Sequence, residues 1–284
     1  GVSWPICEIC SIIMLDFLNF IYSVVNRRNL FVNRLRIFSL FRFIIRLGAN
    51  FIFPIYFKLF KPPCRNREKV VGRPQVVISL TSFPARIQTA WLSVETLLRQ
   101  SLPADLVILW LSREQFPSLE SIPESLLRLQ SKGLRIEIRD GDLRSHKKYF
   151  YAFKEFSESI IVLADDDIFY PSNMLSSLLS AAEDHQGRVV ARFTKKILFD
   201  KNGEVFPYSR WGKINLGGIA GDLFFGSGGG VLIPPNSISA DVLNSNVFTE
   251  ICPHADDVWL NAMCRIVSPY IFSLGNEFVL LPVL

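Results

Sequence analysis

The sequence predicts an α/β domain built on a mostly parallel β-sheet with helices on both faces, preceded by a basic and apolar helical arm. From residue 75 onward, short apolar runs alternate with segments of helical periodicity, which is typical of a sheet covered on both sides. The chain has 284 residues, enough for one sizeable domain and an appendage. With 49% hydrophobic and 20% charged residues, the composition excludes a disordered chain.

The predicted strands and helices follow one another in a regular order. The first two strands are continuous apolar runs (QVVISL and LVILWL), as expected for strands buried on both faces. The third strand alternates Ile136 and Ile138 with charged residues, and the fourth (SIIVLA) is again apolar. In chain order, we predict strand 75–80, helix 87–100, strand 106–111, helix 119–131, strand 134–139, helix 147–156 and strand 159–164.

Charge divides the chain into two parts. Residues 1–73 contain 12 Lys/Arg and 3 Asp/Glu, whereas residues 74–284 contain 19 Lys/Arg and 23 Asp/Glu. The segment KPPCRNREKVVGRP (61–74) has three Pro and clustered charges, which is typical of a linker. We therefore predict a basic, Phe-rich helical segment with its linker over 1–73 and a catalytic domain over 74–284.

The N-terminal arm is predicted to associate with a membrane surface. Residues 9–26 are mostly apolar, but Asp16 and Asn19 lie near their centre, and an ionised Asp at mid-bilayer costs roughly 2.5–3.5 kcal/mol. Residues 30–60 combine Phe, Ile and Leu with Arg at intervals near four, as in a helix lying in the interface of an anionic membrane. Packing of these helices on the body is the alternative. Nucleic acid is not an expected partner, because the cations are interleaved with Phe and Ile at core-like density.

The cysteines indicate a reducing environment. Their number, five, is odd and their spacing is scattered, so they do not form a disulfide framework. Cys7 and Cys10 form a C-x-x-C motif, but no second pair follows at zinc spacing. No Asn-x-Ser/Thr glycosylation sequence occurs. Together with the arm, these features predict a location at the cytoplasmic face of a membrane.

Three adjacent carboxylates, Asp165 to Asp167, follow the fourth predicted strand directly. Ligands bind beyond the carboxyl ends of parallel strands, so these residues lie where a site is expected. Hard divalent cations such as Mn²⁺ or Mg²⁺ take carboxylate oxygens and share their remaining positions with a diphosphate. Alternate residues Asp165 and Asp167 can point the same way, with Asp166 turned elsewhere. The alternative is an Asp-rich N-terminus of the helix that follows Pro171.

This arrangement resembles a known family. An apolar strand that ends in D-x-D is similar to the metal-binding motif of GT-A-fold glycosyltransferases, and the wider sequence resembles their bacterial polysaccharide and capsule-type members. The resemblance covers about residues 75–270 and does not reach the arm. It is carried by ISLTSFPARI (78–87), WLSVETLLRQSLPADLVILWLS (91–112), GDLRSHKKYFYAF (141–153), IIVLADDDIFYP (160–171) and HADDVWL (254–260).

The resemblance implies roles for residues after the predicted strands. It implies that Asp167 ligates Mn²⁺ or Mg²⁺ directly and that Asp165 shares the metal or holds the ribose. The same resemblance assigns binding of the nucleotide-sugar donor to a wider set, while Arg144 and Lys147 are interpreted as solvated charges. The donor-binding set is Thr81, Ser82, Arg86, Asp142, Lys148, Asp165 and Asp166.

The second half of the chain is expected to supply the acceptor side. The stretch GSGGG (226–230) resembles the floor of an acceptor site through Gly228, Gly229 and Gly230, although an irregular strand or bulge explains it equally well. Trp259 is a candidate for stacking on a sugar. A carboxylate before this Trp can deprotonate the acceptor hydroxyl. The resemblance to inverting enzymes with an acidic pair at this position implies Asp257 as the first choice for the base and Asp256 as the second. An acidic first helical turn is the alternative.

The function predicted from these residues is metal-dependent, inverting sugar transfer from a nucleotide sugar to a glycan or lipid-linked acceptor. Retention stays open, because D-x-D occurs in both stereochemical classes. One alternative, nucleotidyl transfer on a related sheet, usually has a basic Gly-rich loop after the first strand, whereas TSFPARI contains no Gly. A non-catalytic sugar-binding module is the other alternative, and it leaves the repeated carboxylates unexplained.

Overall fold

The computed structural model describes residues 6–26, 37–60, 74–214, 216–275 and 280–284. The predicted linker (61–73) and Cys64 lie outside these residues, so the proposed division at residue 73 stays a prediction. The side chains of Cys7 and Cys10 are likewise not described, whereas Cys252 and Cys264 are free thiols.

Thirteen strands are described. Four of them, β1 to β4, correspond to the strands expected from the apolar runs, and the others are short. Their bounds are β1 Val76–Thr81, β2 Leu106–Ser112, β3 Leu134–Arg139, β4 Ile160–Leu163, β5 Ile168–Phe169, β6 Val190–Ala191, β7 Thr194–Lys196, β8 Gly212–Lys213, β9 Gly218–Ala220, β10 Leu223–Phe225, β11 Val231–Ile233, β12 Ile271–Ser273 and β13 Leu281–Pro282.

Eight strands form a central sheet in the order β3-β2-β1-β4-β11-β6-β12-β9. Strands β3, β2, β1 and β4 pair in parallel, and the buried β-branched and Leu residues of β1 and β4 place both strands inside the molecule. β11 pairs antiparallel with both β4 and β6. The predicted fold class, a mostly parallel sheet covered by helices, is confirmed.

The helices cover the sheet on two sides. One core contains apolar residues of α3 and α6, and a second core on the opposite face contains those of α5 and α8. In chain order the α-helices are α1 Ile6–Asn26, α2 Ile37–Leu59, α3 Ile87–Leu98, α4 Glu124–Leu127, α5 Lys147–Glu155, α6 Met174–Asp184, α7 Ser245–Ile251 and α8 Asp256–Val267.

The predicted continuous helix over 119–131 is wrong. The structure breaks it into a 3₁₀ turn over 119–121, the one-turn helix α4, and a second 3₁₀ segment over 128–132. Pro123 sits at the N-cap of α4 with an extended backbone (φ −57°, ψ 138°), because its ring cannot continue a preceding helical turn. Leu126 and Leu129 still enter the core, so the apolar pattern was informative although the helix is interrupted.

Helices α1 and α2 pack on the body with one face each. Leu15 and Tyr22 of α1 are buried in the same core as Ala49 and Phe53 of α2 and the helices of the body. Phe53 also lies 4.9 Å from Phe169 of β5, measured between ring centroids. The arm is therefore attached to the body by apolar contacts that include the strand just after the carboxylate turn.

Candidate active site

The carboxylate turn, Asp165 to Asp167, follows β4 at the carboxyl edge of the parallel strands. Asp166 is buried, and its Oδ2 accepts a hydrogen bond of 2.5 Å from the Ser82 hydroxyl at the end of β1. Burial raises the pKa of Asp166 to about 6. The side chains of Asp165 and Asp167 are partly exposed, at 38% and 29%. The outer two carboxylates thus face the edge while the middle one faces inward.

The loop after β1 reaches the same turn through a cation. The guanidinium of Arg86 forms an ion pair with Asp167, and its Nη1 lies 3.7 Å from Oδ1 of Asp166. Thr81 is turned differently, because its hydroxyl donates to the carbonyl of Trp110 in β2 at 2.8 Å. Two of the three residues predicted from this loop, Ser82 and Arg86, therefore contact the carboxylate turn.

Lys148, in the first turn of α5, joins two carboxylates that are distant in the sequence. Its ammonium donates a hydrogen bond to Oδ1 of Asp165 at 2.7 Å. The same ammonium forms an ion pair with Asp256, at 2.9 Å from Oδ2. The Lys148 side chain is only 4% exposed. Burial lowers its pKa, but the neighbouring Asp165, Asp256 and Asp257 outweigh this and hold the pKa well above the usual value. The carboxylate turn and the start of α8 therefore meet at one ammonium group.

Lys147 has a separate partner, and its interpretation as a solvated charge is wrong. Its side chain is 1% exposed, and its ammonium lies 2.5 Å from Oδ1 of Asp142. Asp142 also accepts from the Gln115 amide at 2.7 Å and from the Arg144 backbone N–H at 2.9 Å. Burial opposes ionisation of Asp142, but these donors lower its pKa overall. The packing of α5 against β1, β2 and β4, which the periodicity of α5 alone does not reveal, buries the Lys147 stem.

Asp257 is held by Ser227 from the glycine-rich stretch. Oδ1 of Asp257 accepts from the Ser227 backbone N–H at 3.0 Å and from its hydroxyl at 2.5 Å. Burial raises the pKa of Asp257 to about 6. Burial also opposes ionisation of Asp256, but there Lys148 outweighs it, so the pKa of Asp256 is lowered. The pair is therefore differentiated, with the weaker acid at the residue predicted to be the base.

The glycines of the 226–230 stretch are required by close packing. A Cβ at Gly228 would lie 2.1 Å from Oδ2 of Asp165, and one at Gly229 would lie 2.4 Å from Cβ of Phe193. Gly230 has φ +93°, which favours glycine. Gly229 and Gly230 are buried, and Gly228 is partly exposed beside Asp165. Of the three glycines predicted to contact an acceptor, Gly228 is the one that lies at the carboxylate turn.

Trp259 lies in the core. It is 6% exposed, its indole N–H donates to the carbonyl of Val242 at 3.1 Å, and its ring lies 6.1 Å from that of Phe248. Trp259 belongs to α8, and its apolar surface packs this helix against Phe248 of α7. Sugar stacking by Trp259 stays a prediction, and these contacts do not favour it.

Two residues that the sequence analysis did not select hold the site together. The buried hydroxyl of Tyr170 accepts from the Asp165 backbone N–H at 2.8 Å and donates to the Gly228 carbonyl at 2.7 Å. Ser227 connects the same stretch to Asp257. Both residues stand inside segments that were noticed for other reasons, Tyr170 in IFYP and Ser227 among the glycines. The signal in the sequence was a hydroxyl group in each segment, that of Tyr170 beside apolar residues and that of Ser227 among glycines.

The residues at this edge fit a divalent cation that a substrate completes. Among the described side chains, no group of three or more His, Cys, Asp or Glu is arranged to hold a metal ion. Asp165 and Asp167 nevertheless offer partly exposed hard oxygen ligands. Mg²⁺ is commonly held by one or two carboxylates, with the other positions filled by water and substrate phosphates. The donor set therefore suits a metal that arrives with a diphosphate.

No protein-family model matches the chain, and no curated protein matches it. Solved structures that show similarity include the following three. The CMP:2-keto-3-deoxy-manno-octonic acid synthetase complexed with CTP is 13% identical with a TM-score of 0.41, over 70% of this chain and 88% of that one. The 4-diphosphocytidyl-2C-methyl-D-erythritol synthase from Anaerococcus prevotii is 14% identical with a TM-score of 0.33, over 46% of this chain and 62% of that one. The mannosyltransferase from Pyrobaculum calidifontis, in complex with GDP-Man and Mn²⁺, is 17% identical with a TM-score of 0.32, over 52% and 45%.

These similarities do not extend to an activity. This chain spans 62% of the length of the erythritol synthase and less than half of the mannosyltransferase. With identities of 17% or less, the function of this chain has to be argued from its own side chains.

Proposed function

We propose that this protein is a metal-dependent glycosyltransferase that moves a sugar from a nucleotide sugar to a glycan or lipid-linked acceptor. The observation that supports the proposal is the shared ammonium of Lys148, which lies 2.7 Å from Asp165 and 2.9 Å from Asp256. Through it, the turn suited to a diphosphate and the helix that carries the candidate base stand at a single edge of the sheet. Sugar transfer needs both functions within the length of one sugar.

On the donor side, Asp165 and Asp167 would hold Mn²⁺ or Mg²⁺, which supplies Lewis-acid neutralisation of the departing diphosphate. Arg86, paired with Asp167, is placed to approach the nucleotide from the loop after β1. Ser82 keeps Asp166 turned inward, so the two outer carboxylates keep their separation. Lys148 orients Asp165 and adds positive charge at the position where negative charge develops on the leaving group.

On the acceptor side, Asp257 would be the general base. The acceptor oxygen forms a bond to the anomeric carbon while the bond from that carbon to the diphosphate oxygen breaks, and the electron pair leaves with the diphosphate. The hydroxyl proton passes to Asp257. Ser227 donates twice to Oδ1, which orients the carboxylate and leaves Oδ2 as the oxygen assigned to the proton. A single displacement of this kind inverts the anomeric configuration.

The release of nucleoside diphosphate tests the proposal. With a panel of nucleotide sugars and Mn²⁺, we expect slow donor hydrolysis that is abolished by Asp167→Ala. Asp140→Ala is the matched control, because Asp140 also follows a strand of the sheet but is 86% exposed and paired with Arg113. If the unchanged chain and Asp140→Ala release no nucleoside diphosphate from a nucleotide sugar, but both release pyrophosphate from a nucleoside triphosphate, the protein is a nucleotidyltransferase.

The proposal also places the reaction at the cytoplasmic face of a membrane, with the N-terminal segment as the attachment. Among the described residues, Ser39–Leu59 is long and apolar enough to cross a bilayer by length and composition. The free thiols Cys252 and Cys264 are compatible with a reducing compartment.

A further inference from the structure

The outer face of α1 and α2 exposes an unusual amount of apolar surface. Of the 26 large apolar side chains that are exposed among the described residues, 13 belong to α1, α2 and the adjoining Phe60. Phe51 is the most exposed Phe, at 70%. Soluble proteins rarely expose so many neighbouring apolar groups unless a partner covers them. The outer face, as defined here, consists of Phe17, Phe20, Val24, Leu40, Phe41, Phe43, Ile44, Leu47, Phe51, Ile52, Ile55, Leu59 and Phe60.

The inner face of the same helices is committed to the body. In α1, the Asp16 carboxylate accepts from the Ser172 backbone N–H at 2.8 Å and from its hydroxyl at 2.5 Å. In α2, the Asn50 amide donates to the Pro282 carbonyl at 3.0 Å and its oxygen accepts from the Leu284 N–H at 2.8 Å. Asp16 and Asn50, which would be unfavourable in a membrane-spanning helix, therefore form hydrogen bonds with the domain.

These two faces exclude a simple crossing of the bilayer by α2 in this conformation. A helix that crosses alone would present every side to lipid, whereas Phe53 and Phe57 of α2 are buried at 0% and 2% exposure. We propose that α1 and α2 form a monotopic anchor, which lies in the plane of a membrane and inserts only its outer face. A bilayer surface is wide enough to cover apolar side chains along both helices at once.

Cations around α2 indicate that the membrane is anionic. Across the described residues, α2 contains Arg42, Arg46 and Lys58 and has no Asp or Glu. A cavity of about 220 Å³ opens beside Lys58, and Arg128 and Lys132 of the body also line it. Glu95 lines the cavity too, but it is 1% exposed and paired with Arg99 at 3.1 Å and with Arg128 at 3.8 Å, which leaves Lys58 and Lys132 without a carboxylate partner in this cavity lining. The cations at the cavity mouth suit the phosphate of a lipid headgroup.

The anchor is connected to the carboxylate turn by a short path. Leu284, bound by Asn50, follows Val283, whose N–H donates to the Asp167 carbonyl at 2.7 Å. Phe53 of α2 packs on Phe169, two residues after Asp167. The turn thus stands directly behind the membrane-facing helices. If the proposed sugar transfer is correct, on which this step rests, the acceptor is a membrane-held, lipid-linked molecule.

Flotation of the full chain with vesicles tests the anchor. We expect binding to phosphatidylcholine vesicles that contain phosphatidylglycerol, weaker binding to phosphatidylcholine alone, and loss of binding by roughly tenfold or more in the double variant Phe20→Glu, Phe51→Glu. The control is Ile251→Glu, Ile266→Glu, which adds the same charges at apolar side chains that are 64% and 62% exposed on α7 and α8. Both variants should keep the melting temperature of the unchanged chain.

Equal binding by the two double variants, or no binding by the unchanged chain, overturns the anchor. Self-association in solution without vesicle binding also overturns it, because the covering partner is then a second copy. The tests of anchor and function are separable, since donor hydrolysis is measured without vesicles. Absence of flotation by the unchanged chain, with intact donor hydrolysis, contradicts the anchor alone.

The in-plane orientation has its own test. Ser39→Cys and Lys58→Cys lie near the two ends of α2, outside the apolar outer face, and both should react with a membrane-impermeant maleimide added outside the vesicles. The labelling of the unchanged chain provides the background from native cysteines. Reaction at only one of the two positions would show that α2 crosses the bilayer.

Discussion

The carboxylate edge and the outer face of α1 and α2 differ in how their unfavourable groups are satisfied. At the edge, buried charges find partners within the chain, as Lys148 does with Asp165 and Asp256. On the outer face, exposed apolar groups such as Phe17 and Phe51 contact little that belongs to the domain. Buried charges and exposed apolar side chains both cost free energy on folding. Sequences commonly tolerate such costs at functional sites.

This difference determines where a substitution becomes measurable. Changes at the edge should alter rate or stability in simple solution, because the partners belong to the same chain. Changes on the outer face should be silent until a bilayer is present. The predictions that follow test the internal half of this comparison, from the largest expected effect to the smallest.

Removal of the candidate base should have the largest effect. We expect Asp257→Asn to lower kcat for sugar transfer by roughly 10²–10⁴-fold, because the amide cannot take the acceptor proton. Donor affinity should change little, since Asp257 contacts Ser227 and not the carboxylate turn. Steady-state kinetics with the identified donor measures this. A larger loss of kcat in Asp256→Asn, at unchanged melting temperature, would exchange the roles of the two carboxylates.

Removal of the shared ammonium should be the most destabilising change. Lys148→Met leaves Asp165 and Asp256 without their common cation, and unpairing a buried ion pair typically costs about 3–5 kcal/mol. Lys147→Met, at an equally buried neighbour with the single carboxylate partner Asp142, should cost about 1–3 kcal/mol. Urea denaturation of both variants gives the two free energies of unfolding. Equal losses would mean that the junction at Lys148 has no special role.

The raised pKa of Asp257 predicts opposite pH trends for stability and rate. A carboxyl with a folded pKa of about 6 and an unfolded pKa of about 4 binds more protons in the folded state between these values. Asp257 should therefore make the free energy of unfolding fall by roughly 2–3 kcal/mol as pH rises through this window. Asp257→Asn should remove this share and leave the fall that comes from Asp166 and Glu95, whose pKa values burial raises to about 6 and about 7. The transfer rate should rise over the same window, because the base acts when ionised.

Melting temperatures and initial rates between pH 4 and pH 8 measure both trends. A transfer rate that is flat across pH 6, with the stability trend present, would separate Asp257 from the proton transfer.

The smallest predicted effect concerns the junction of the two regions. Asn50→Ala removes two hydrogen bonds, to Pro282 and Leu284, and should lower the free energy of unfolding by about 1–2 kcal/mol. Asn246→Ala, on the exposed side of α7, should change it by less than about 0.5 kcal/mol. Thermal denaturation compares the two. If they are indistinguishable, the anchor is held to the body by its apolar face alone.

The sequence was most informative where local pattern and global fold agree. The runs QVVISL, LVILWL and SIIVLA are nearly unbroken apolar segments, and they form the central parallel strands because only a doubly covered sheet buries such runs. The placement of Asp165 to Asp167 at the carboxyl edge followed from that sheet. Asp166 does point away from Asp165 and Asp167 as expected, but within a turn, where its carboxylate accepts from the Ser82 hydroxyl.

Local pattern failed where a distant segment decides the environment. Lys147 was interpreted as a solvated charge, yet packing of α5 on the sheet buries it together with its neighbour Lys148. The glycines at 228 and 229 were interpreted as the floor of an acceptor site or as an irregular strand, whereas the structure places Asp165 and Phe193 directly against their backbone. The role of Tyr170 could not be predicted from the sequence, because its hydroxyl joins two separate segments, the backbone of Asp165 and that of Gly228.

Sequence alone determined the fold class, the sheet edge where Asp165 to Asp167 lie, and the basic, Phe-rich character of the arm. These properties depend on composition and on short-range periodicity, which the chain carries in every conformation. Only the tertiary structure decided which carboxylate meets which cation and which face of α1 and α2 stays uncovered. Those choices join residues from separate elements, such as Arg86 with Asp167 and Lys148 with Asp256, and are settled when the helices pack on the sheet.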